Sequence, residues 1–428
     1  MNQGNSAVQR LGIVKSHLDG IKKNPTNAIS TTKHDDDVVI VSARRTAICK
    51  ARKGGFKDTL PCDLLAPVLD QVVKDANIDK ALVNDICVGN VLMPSCGGMR
   101  NRMAQFIAGF PETTCLSSVN RQCSSGLQAI INIAAAIKMG SCDVGIGAGV
   151  ESMSMYQSKE FNMDMSNFNE KFSDCEMAMD CTIPMGITSE NVAERFGVSR
   201  EAQDKMSVES HTKAHAAAKS GKFKEEIVPV VTKFTDKEDN TSTITVSVDE
   251  GIRPGTTMEG LAKLRPAFQE GGSTTAGNSS QVSDGAAAVL LMRRSVANRL
   301  QVPVLGVIRG FKVVGVKPDI MGVGPAEAIP AALRNAGLSA DDIDIYEINE
   351  AFASQASYCV RKLEIPMEKV NPNGGAIALG HPLGCTGARQ VATLIHELKR
   401  RKNRGFGVVS MCIGSGMGAA AVIEHEGQ

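Results

Sequence analysis

From Asp37 onward the chain alternates between short apolar runs and longer stretches in which apolar residues recur every three or four positions. The first pattern predicts strands and the second predicts amphipathic helices. Val38–Val41 reads as a strand, 60–76 as a helix, Ile86–Val91 as a strand and 97–109 as a helix. Cys115, Leu116 and Val119 then mark a buried strand. Behind it, Leu127, Ile130, Ile131, Ala134 and Ile137 fall on one helical face, which Gly140 stops. Val144–Val150 is a Gly-spaced strand that ends in Glu151-Ser152-Met153. Strands alternating with helices predict an α/β sheet layered by helices.

Between 151 and 275 the pattern loosens. The segment is rich in methionine (Met153, Met155, Met163, Met165, Met177, Met179, Met185), with helices expected near 189–196 and 200–220 and a charged strand-like stretch at 226–248. It reads as an excursion from the sheet that covers a site, and flexible Met side chains suit a surface that accepts varied apolar chains. Arg253, Lys263, Arg265, Lys213, Lys219 and Lys222 within it are candidates to meet phosphates. The strand pattern returns at Ala286–Met292 and 304–316. After it come a helix at 325–337, the segment Ile345–Phe352, a Gly-rich loop at 373–387, a helix at 388–401 and a last strand at 406–411. Each half has a Gly-containing turn before a long helix and then a Gly-rich strand, Asp143–Val150 and Gly405–Cys412. That echo predicts a duplicated α/β unit.

Residues 1–34 differ in charge rather than in period. They carry Arg10, Lys15, Lys22, Lys23 and Lys33 against a single acidic residue, Asp19. On a helix Leu11, Val14 and Leu18 share one face, so the segment reads as an address rather than part of the fold. Arg10-Leu11, five residues and His17-Leu18 resemble an N-terminal peroxisomal import signal. A mitochondrial presequence and a plain tail are the competing readings. The whole chain of 428 residues is nearly neutral, at +1, which implies no basic surface for nucleic acid. No apolar run reaches the ~20 residues of a membrane-spanning helix. The 12 cysteines show no metal-ligand spacing, which argues for free thiols in a reducing compartment and for no metal site.

One of those thiols stands at a telling place. Cys123, in Ser118-Val-Asn-Arg-Gln-Cys-Ser-Ser-Gly126, sits where a strand turns into a helix, so its sulfur would face the free N–H groups of the first turn. The helix dipole there predicts a depressed thiol pKa. Taken alone, the stretch fits a buried structural cysteine equally well. Three later stretches add candidates: Asn349-Glu350-Ala351-Phe352-Ala353, Asn373 to Gly384 with Gly380-His381-Pro382, and Cys412-Ile413-Gly414-Ser415-Gly416. His381 is the histidine placed in a Gly-rich turn, where a ligand can approach the backbone. A nucleophilic Cys needs a base, and a second Cys supplies another proton carrier.

Together these four stretches resemble the thiolase family in order, type and spacing. Glu151-Ser152-Met153, Leu264–Phe268 and Thr275–Ser280 also resemble its signatures, and the likeness runs from about residue 37 to 425. It implies a thiolase fold of class α/β, with two duplicated α-β-α halves in five layers (αβαβα) and an inserted loop domain. The implied partition is a targeting leader at 1–36, a first half at 37–150 and 276–295, an inserted CoA-covering domain at 151–275, and a second half at 296–428. Cys123 would be the nucleophile, His381 its base, and Cys412 the acid/base at the α-carbon. Asn349 would anchor a water in one oxyanion hole, and the N–H groups of Cys123 and Gly414 would form another. Coenzyme A, a co-substrate rather than a cofactor, would pass Met185, Arg253, Phe268, Ala276 and Ser280. Pro184 stands where relatives often carry His.

The resemblance further implies cleavage of 3-ketoacyl-CoA by coenzyme A in peroxisomal β-oxidation, a homodimer, and an import receptor that reads residues 10–18. Acetoacetyl-CoA thiolase, run as condensation, and a non-catalytic acyl-CoA-binding protein are the competing readings. A ketosynthase has no counterpart to Cys412.

Overall fold

The computed structural model describes residues 32–160 and 170–427. The chain divides into two units, residues 1–34 and Asp35–Gln428, and everything below concerns the second. The proposed signal at residues 10–18, together with Met163 and Met165, lies outside the described residues.

Twelve strands are described: β1 (Val38–Arg45), β2 (Cys49–Lys50), β3 (Asp85–Gly89), β4 (Cys115–Val119), β5 (Val144–Ser152), β6 (Val230–Thr235), β7 (Thr241–Val246), β8 (Ser283–Arg293), β9 (Gly306–Gly315), β10 (Ile345–Ile348), β11 (Gly405–Ile413) and β12 (Met417–His425). All but β6 and β7 belong to one sheet, ordered β10-β11-β12-β9-β1-β8-β5-β3-β4, with β2 on β8. β6 and β7 form a separate hairpin in the excursion.

The sequence echo is a structural repeat. In the first half β3 runs parallel to β5, which pairs antiparallel with β8, which pairs antiparallel with β1. In the second, β10 runs parallel to β11, which pairs antiparallel with β12, which pairs antiparallel with β9. The halves meet where β1 pairs β9. A helix precedes the Gly-rich strand in each, Ser125–Met139 before β5 and Leu383–Arg401 before β11. The outer helices, Pro61–Ala76 and Gly324–Ala336, each carry a proline at their seventh position, Pro67 and Pro330.

The two middle helices share one core. Leu127, Ile130 and Ile133 pack with Val391, Leu394 and Ile395, and with the inner faces of both halves of the sheet: Ile40, Val289 and Leu291 from the first, Val409, Met411 and Ala421 from the second. Helices in the middle, sheet on either side and helices outside make five layers. The contact is close because glycines stand at it. A Cβ on Gly126 would lie 2.6 Å from the Gly384 carbonyl oxygen, and one on Gly387 2.3 Å from the Leu127 nitrogen.

Three expectations change. β4 is an edge strand with exposed and half-exposed residues, not a buried one, because β3 covers only one side of it. The second middle helix begins at Leu383, five residues early, and takes in glycines read as loop. In a solvent-facing helix those glycines would be unfavourable; here close packing selects them. β12 was not expected at all. Its Gly-Ala-Ala-Ala run lacks the β-branched residues that mark strands, yet it is buried between β11 and β9.

Candidate active site

The repeat places Cys123 and His381 at equivalent points. Cys123 stands two residues before the Ser125–Met139 helix, and His381 two residues before Leu383–Arg401. Cys412 and Asn349 come from strand ends, as the eighth residue of β11 and the residue after β10.

The Cys123 turn is tightly braced. Gln122 has φ 46, a left-handed conformation that a non-glycine residue adopts at a cost. The Asn120 Oδ1 accepts from the Gln122 N–H at 2.8 Å, and the Ser125 hydroxyl donates to the Gln122 carbonyl at 2.6 Å while accepting from the Arg121 N–H. Enclosure pushes the Cys123 thiol up to about 11. The Gly414 N–H and the residue's own N–H pull the other way, and the charge of Glu151 adds to the rise. The predicted depressed pKa is therefore overturned: desolvation outweighs the two N–H groups, and the resting residue is a thiol.

His381 is its match in reverse. Burial, with Arg389 adding to the effect, holds the imidazole down to about 3, so it is neutral. Its Nδ1 lies 2.6 Å from the Thr386 Oγ1, whose own proton goes to the Pro382 carbonyl at 3.1 Å. The hydroxyl therefore accepts from Nδ1–H, and the lone pair is on Nε2. The Asn349 Nδ2 sits 3.3 Å from that Nε2. Thr386 is a site residue that the sequence reading missed. Its signal is a lone hydroxyl among the small residues of Gly384-Cys385-Thr386-Gly387.

Cys412 is buried against Met321, Ala351 and Phe352, with Met185 alongside. Burial first, then its proximity to Cys123, pushes its thiol well above the ordinary range. A Cβ on Gly414 would touch the Met185 sulfur at 3.6 Å and Gln122 at 3.8 Å, so the Cys412–Gly416 turn lies against the Cys123 turn. Cys123 thus groups with Cys412 and Gly414, and His381 with Asn349, while Ala351 and Phe352 of the Asn349 loop pack on Cys412.

The five proposed coenzyme A contacts divide. Phe268 lies on Gly186, where a Cβ would be 2.1 Å from its ring, and meets Phe352 edge-on at 6.0 Å. Met185 opens the Met185–Arg195 helix beside Cys412, with Pro184 at its N-cap. The Ser280 N–H donates to the Ala351 carbonyl, which ties the 275–280 turn to the Asn349 loop, and Ala276 is exposed on that turn. Arg253 is exposed on a separate turn, where its backbone N–H donates to the His211 Nδ1. Two of the other candidate phosphate contacts are committed elsewhere: the Lys213 amine donates to the Met367 and Val370 carbonyls, and that of Lys222 to Asn373 and Glu397.

Among the described residues no helix is long and apolar enough to cross a membrane, and no group of three His, Cys, Asp or Glu could hold a metal ion.

Comparison with known proteins identifies the family. The thiolase N-terminal domain matches residues 38–295 and the thiolase C-terminal domain residues 302–425. The rat protein named 3-ketoacyl-CoA thiolase A, peroxisomal, is 60% identical over 429 residues, covering 99% of this chain and 98% of its own. The human 3-ketoacyl-CoA thiolase, peroxisomal, is 58% identical over 98% of this chain and 100% of its own. The crystal structure of the dimeric peroxisomal thiolase of Saccharomyces cerevisiae superposes with a TM-score of 0.85 at 49% identity, covering 92% of this chain and 99% of that one. A second structure of the yeast enzyme, with a TM-score of 0.74 at 44% identity over 92% of this chain and 99% of its own, is described as five-layered, from two core domains of identical topology. The chain belongs to the thiolase family.

Proposed function

We propose that this protein cleaves 3-ketoacyl-CoA with coenzyme A, giving acetyl-CoA and an acyl-CoA two carbons shorter. The observation that carries the reading is the neutral His381, its Nδ1 on the Thr386 hydroxyl and its Nε2 lone pair on the Asn349 amide, together with the protonated thiols of Cys123 and Cys412.

The Cys123 proton passes to the His381 Nε2 as sulfur attacks the keto carbon. The bond between that carbon and the α-carbon breaks, and its electron pair becomes the enolate of acetyl-CoA. The new Nε2–H and a water on Asn349 face the enolate oxygen, where preset donors lower the barrier most. Cys412 then gives its proton to the α-carbon, and acetyl-CoA leaves. A second coenzyme A returns a thiol proton to Cys412, and its sulfur attacks the acyl-Cys123 thioester, whose oxygen faces the N–H groups of Cys123 and Gly414. Cys123 leaves as thiolate and recovers its proton from His381. Protons and charges return to the resting state.

The partition at 37–150 with 276–295, 151–275 and 296–428 follows the repeat and the excursion. Coenzyme A passes Met185, Phe268, Ala276 and Ser280 along the 151–275 segment, with Arg253 at its exposed end. Two copies pair through the edge strand β4 and the helix Gly98–Ile107 beside it, where Met99, Met103, Phe106 and Ile107 are exposed. An open strand edge flanked by apolar side chains invites a twin, and the yeast relative is a dimer. Relatives named peroxisomal support the same compartment here, and Arg10-Leu11 with His17-Leu18 would be the entry signal.

A thiolysis assay with 3-ketoacyl-CoAs of graded length tests the reading, with mass spectrometry of Cys123 after exposure to acyl-CoA alone. Turnover across several lengths with an acyl group on Cys123 is the expected result. Turnover of acetoacetyl-CoA alone would favour acetoacetyl-CoA thiolase, and none with any length would favour a binding protein.

A further inference from the structure

The repeat that places Cys123 opposite His381 also gives Cys412 and Asn349 twins. In the second half the last parallel pair is Ile348 with Ser410. Asn349 follows the first of these by one residue and Cys412 follows the second by two. In the first half the last parallel pair is Gly89 with Gly149. Asn90 follows by one and Glu151 by two. Across the antiparallel neighbour, Cys412 stands opposite Gly418 and Glu151 opposite Gly285, a glycine in each case. The first half therefore carries a second Asn-based pair at the position where the other half keeps its acid/base.

That pair is buried and fully engaged. Glu151 Oε1 accepts from the Asn90 Nδ2 at 2.9 Å and the Leu92 N–H at 3.2 Å. Its Oε2 accepts from the Val91 N–H at 3.0 Å and the Gly384 N–H at 2.9 Å. The two donors on Oε2 lead to the two reacting side chains. Gly384 lies in the first turn of the Leu383–Arg401 helix, three residues after His381. From Val91 a second path runs back: its carbonyl accepts from the Asn120 Nδ2 at 3.3 Å, and Asn120 Oδ1 holds the Gln122 N–H next to Cys123.

We propose that Glu151 is a positioning residue that fixes the Cys123 turn and the His381 helix relative to one another, because both are tied to one of its carboxylate oxygens. The inference rests on the thiolase reading above. No other carboxylate described at the site joins the two halves in this way. The segments have no slack to realign without it: a Cβ on Gly149 would meet the Gly384 carbonyl oxygen at 2.1 Å, and one on Gly384 would meet Glu151 Oε2 at 3.0 Å. The ionisable groups that feel the carboxylate are Cys123 from the nucleophile turn and Cys385 from the His381 helix. Burial pushes Glu151 up to about 7 against the pull of its four donors, so it is charged at pH 8 and acts on the thiol as a like charge.

Two variants in the full-length enzyme test this. Glu151→Gln keeps the volume but offers one acceptor oxygen and no charge. Its kcat for thiolysis should fall about 10- to 100-fold, the size of a small misplacement of reacting groups, with KM within about twofold. Its pH midpoint for alkylation of Cys123 by iodoacetamide should move down, since the neighbouring charge is gone. Glu151→Asp keeps the charge and retracts it, so kcat should fall while the alkylation midpoint stays. Wild-type kcat in either folded variant overturns the proposal, including the case in which only the melting temperature drops. An unmoved midpoint in Glu151→Gln overturns it as well. Should the Gln variant not fold, the Asp variant decides alone. The alkylation readout needs no thiolysis, so an inactive wild type would count against the thiolase reading and not against the tie.

Discussion

Asn349 Oδ1 is buried without a hydrogen-bond partner, while the Nδ2 of the same amide reaches His381. An unpaired buried carbonyl costs about 1–3 kcal/mol, a price that the O–H of a bound water would remove. The thiols give sharper tests. Because the Cys123 thiol lies near 11, its alkylation rate should climb through pH 9 and 10 instead of levelling near 8.5, and a plateau by pH 8 would contradict the neutral Cys–His pair. The His381 pKa is lowered, so the base form persists on acidification from 6.5 towards 3 and is lost only below that. Cys412→Ala should still form the acyl group on Cys123, since that step uses Cys123 and His381. It should fail to exchange the methyl protons of acetyl-CoA with deuterated water, and thiolysis should drop about a hundred- to ten-thousand-fold. Wild-type exchange would make Cys412 a packing residue. Thr386→Val removes the acceptor that fixes the His381 tautomer; turnover should fall at least about tenfold and recover in Thr386→Ser, which keeps the hydroxyl.

Among the elements, the paired middle helices decide the site, and they show how far the residues alone could be read. The periodicity of Leu127 to Ile137 announced the first helix, and Gly140, in a left-handed cap at φ 79, closed it as expected. The start of the second was hidden. Gly384 and Gly387 look like loop residues until a partner helix presses on them, and that pressure is not a local property of the chain. Cys123, His381 and Cys412 stood out as candidates because a thiol or imidazole in a Gly-rich turn is unusual, and Asn349 through its place in the Asn349–Ala353 stretch. Glu151 was visible as part of a signature but carried no role, because its meaning lies in four donors drawn from two distant segments. Gly387→Ala tests the helix contact: its methyl would press on the Leu127 backbone at 2.3 Å. Overpacking of this kind destabilises by about 1–3 kcal/mol. A lower melting temperature is the expected reading, and an unchanged one would mean that the helices can part.

For the whole molecule, the edge strand and the arrangement of the termini matter most. Light scattering should give about twice the chain's 45.3 kDa. A charged substitution at Ile107, exposed beside β4, should shift that mass towards the monomer. A fusion of residues 1–34 to a fluorescent reporter should enter peroxisomes and should lose that targeting with Arg10→Glu and His17→Ala together; a mitochondrial or cytosolic wild-type signal would remove the proposed address.

The position of β1 carries a consequence for biosynthesis. It is the first described strand to leave the ribosome and lies in the middle of the sheet, between β8 and β9. Val38 pairs with Arg293, and Val39 with Val307. At roughly 5–20 residues per second of translation, β1 waits about 10–50 seconds for either neighbour. Through that interval an apolar strand with two open edges is attached to a nascent chain. Chaperone capture of the growing polypeptide is the natural remedy, and a release-stalled chain ending before Ser283 should be cut by protease within β1 where the finished protein resists.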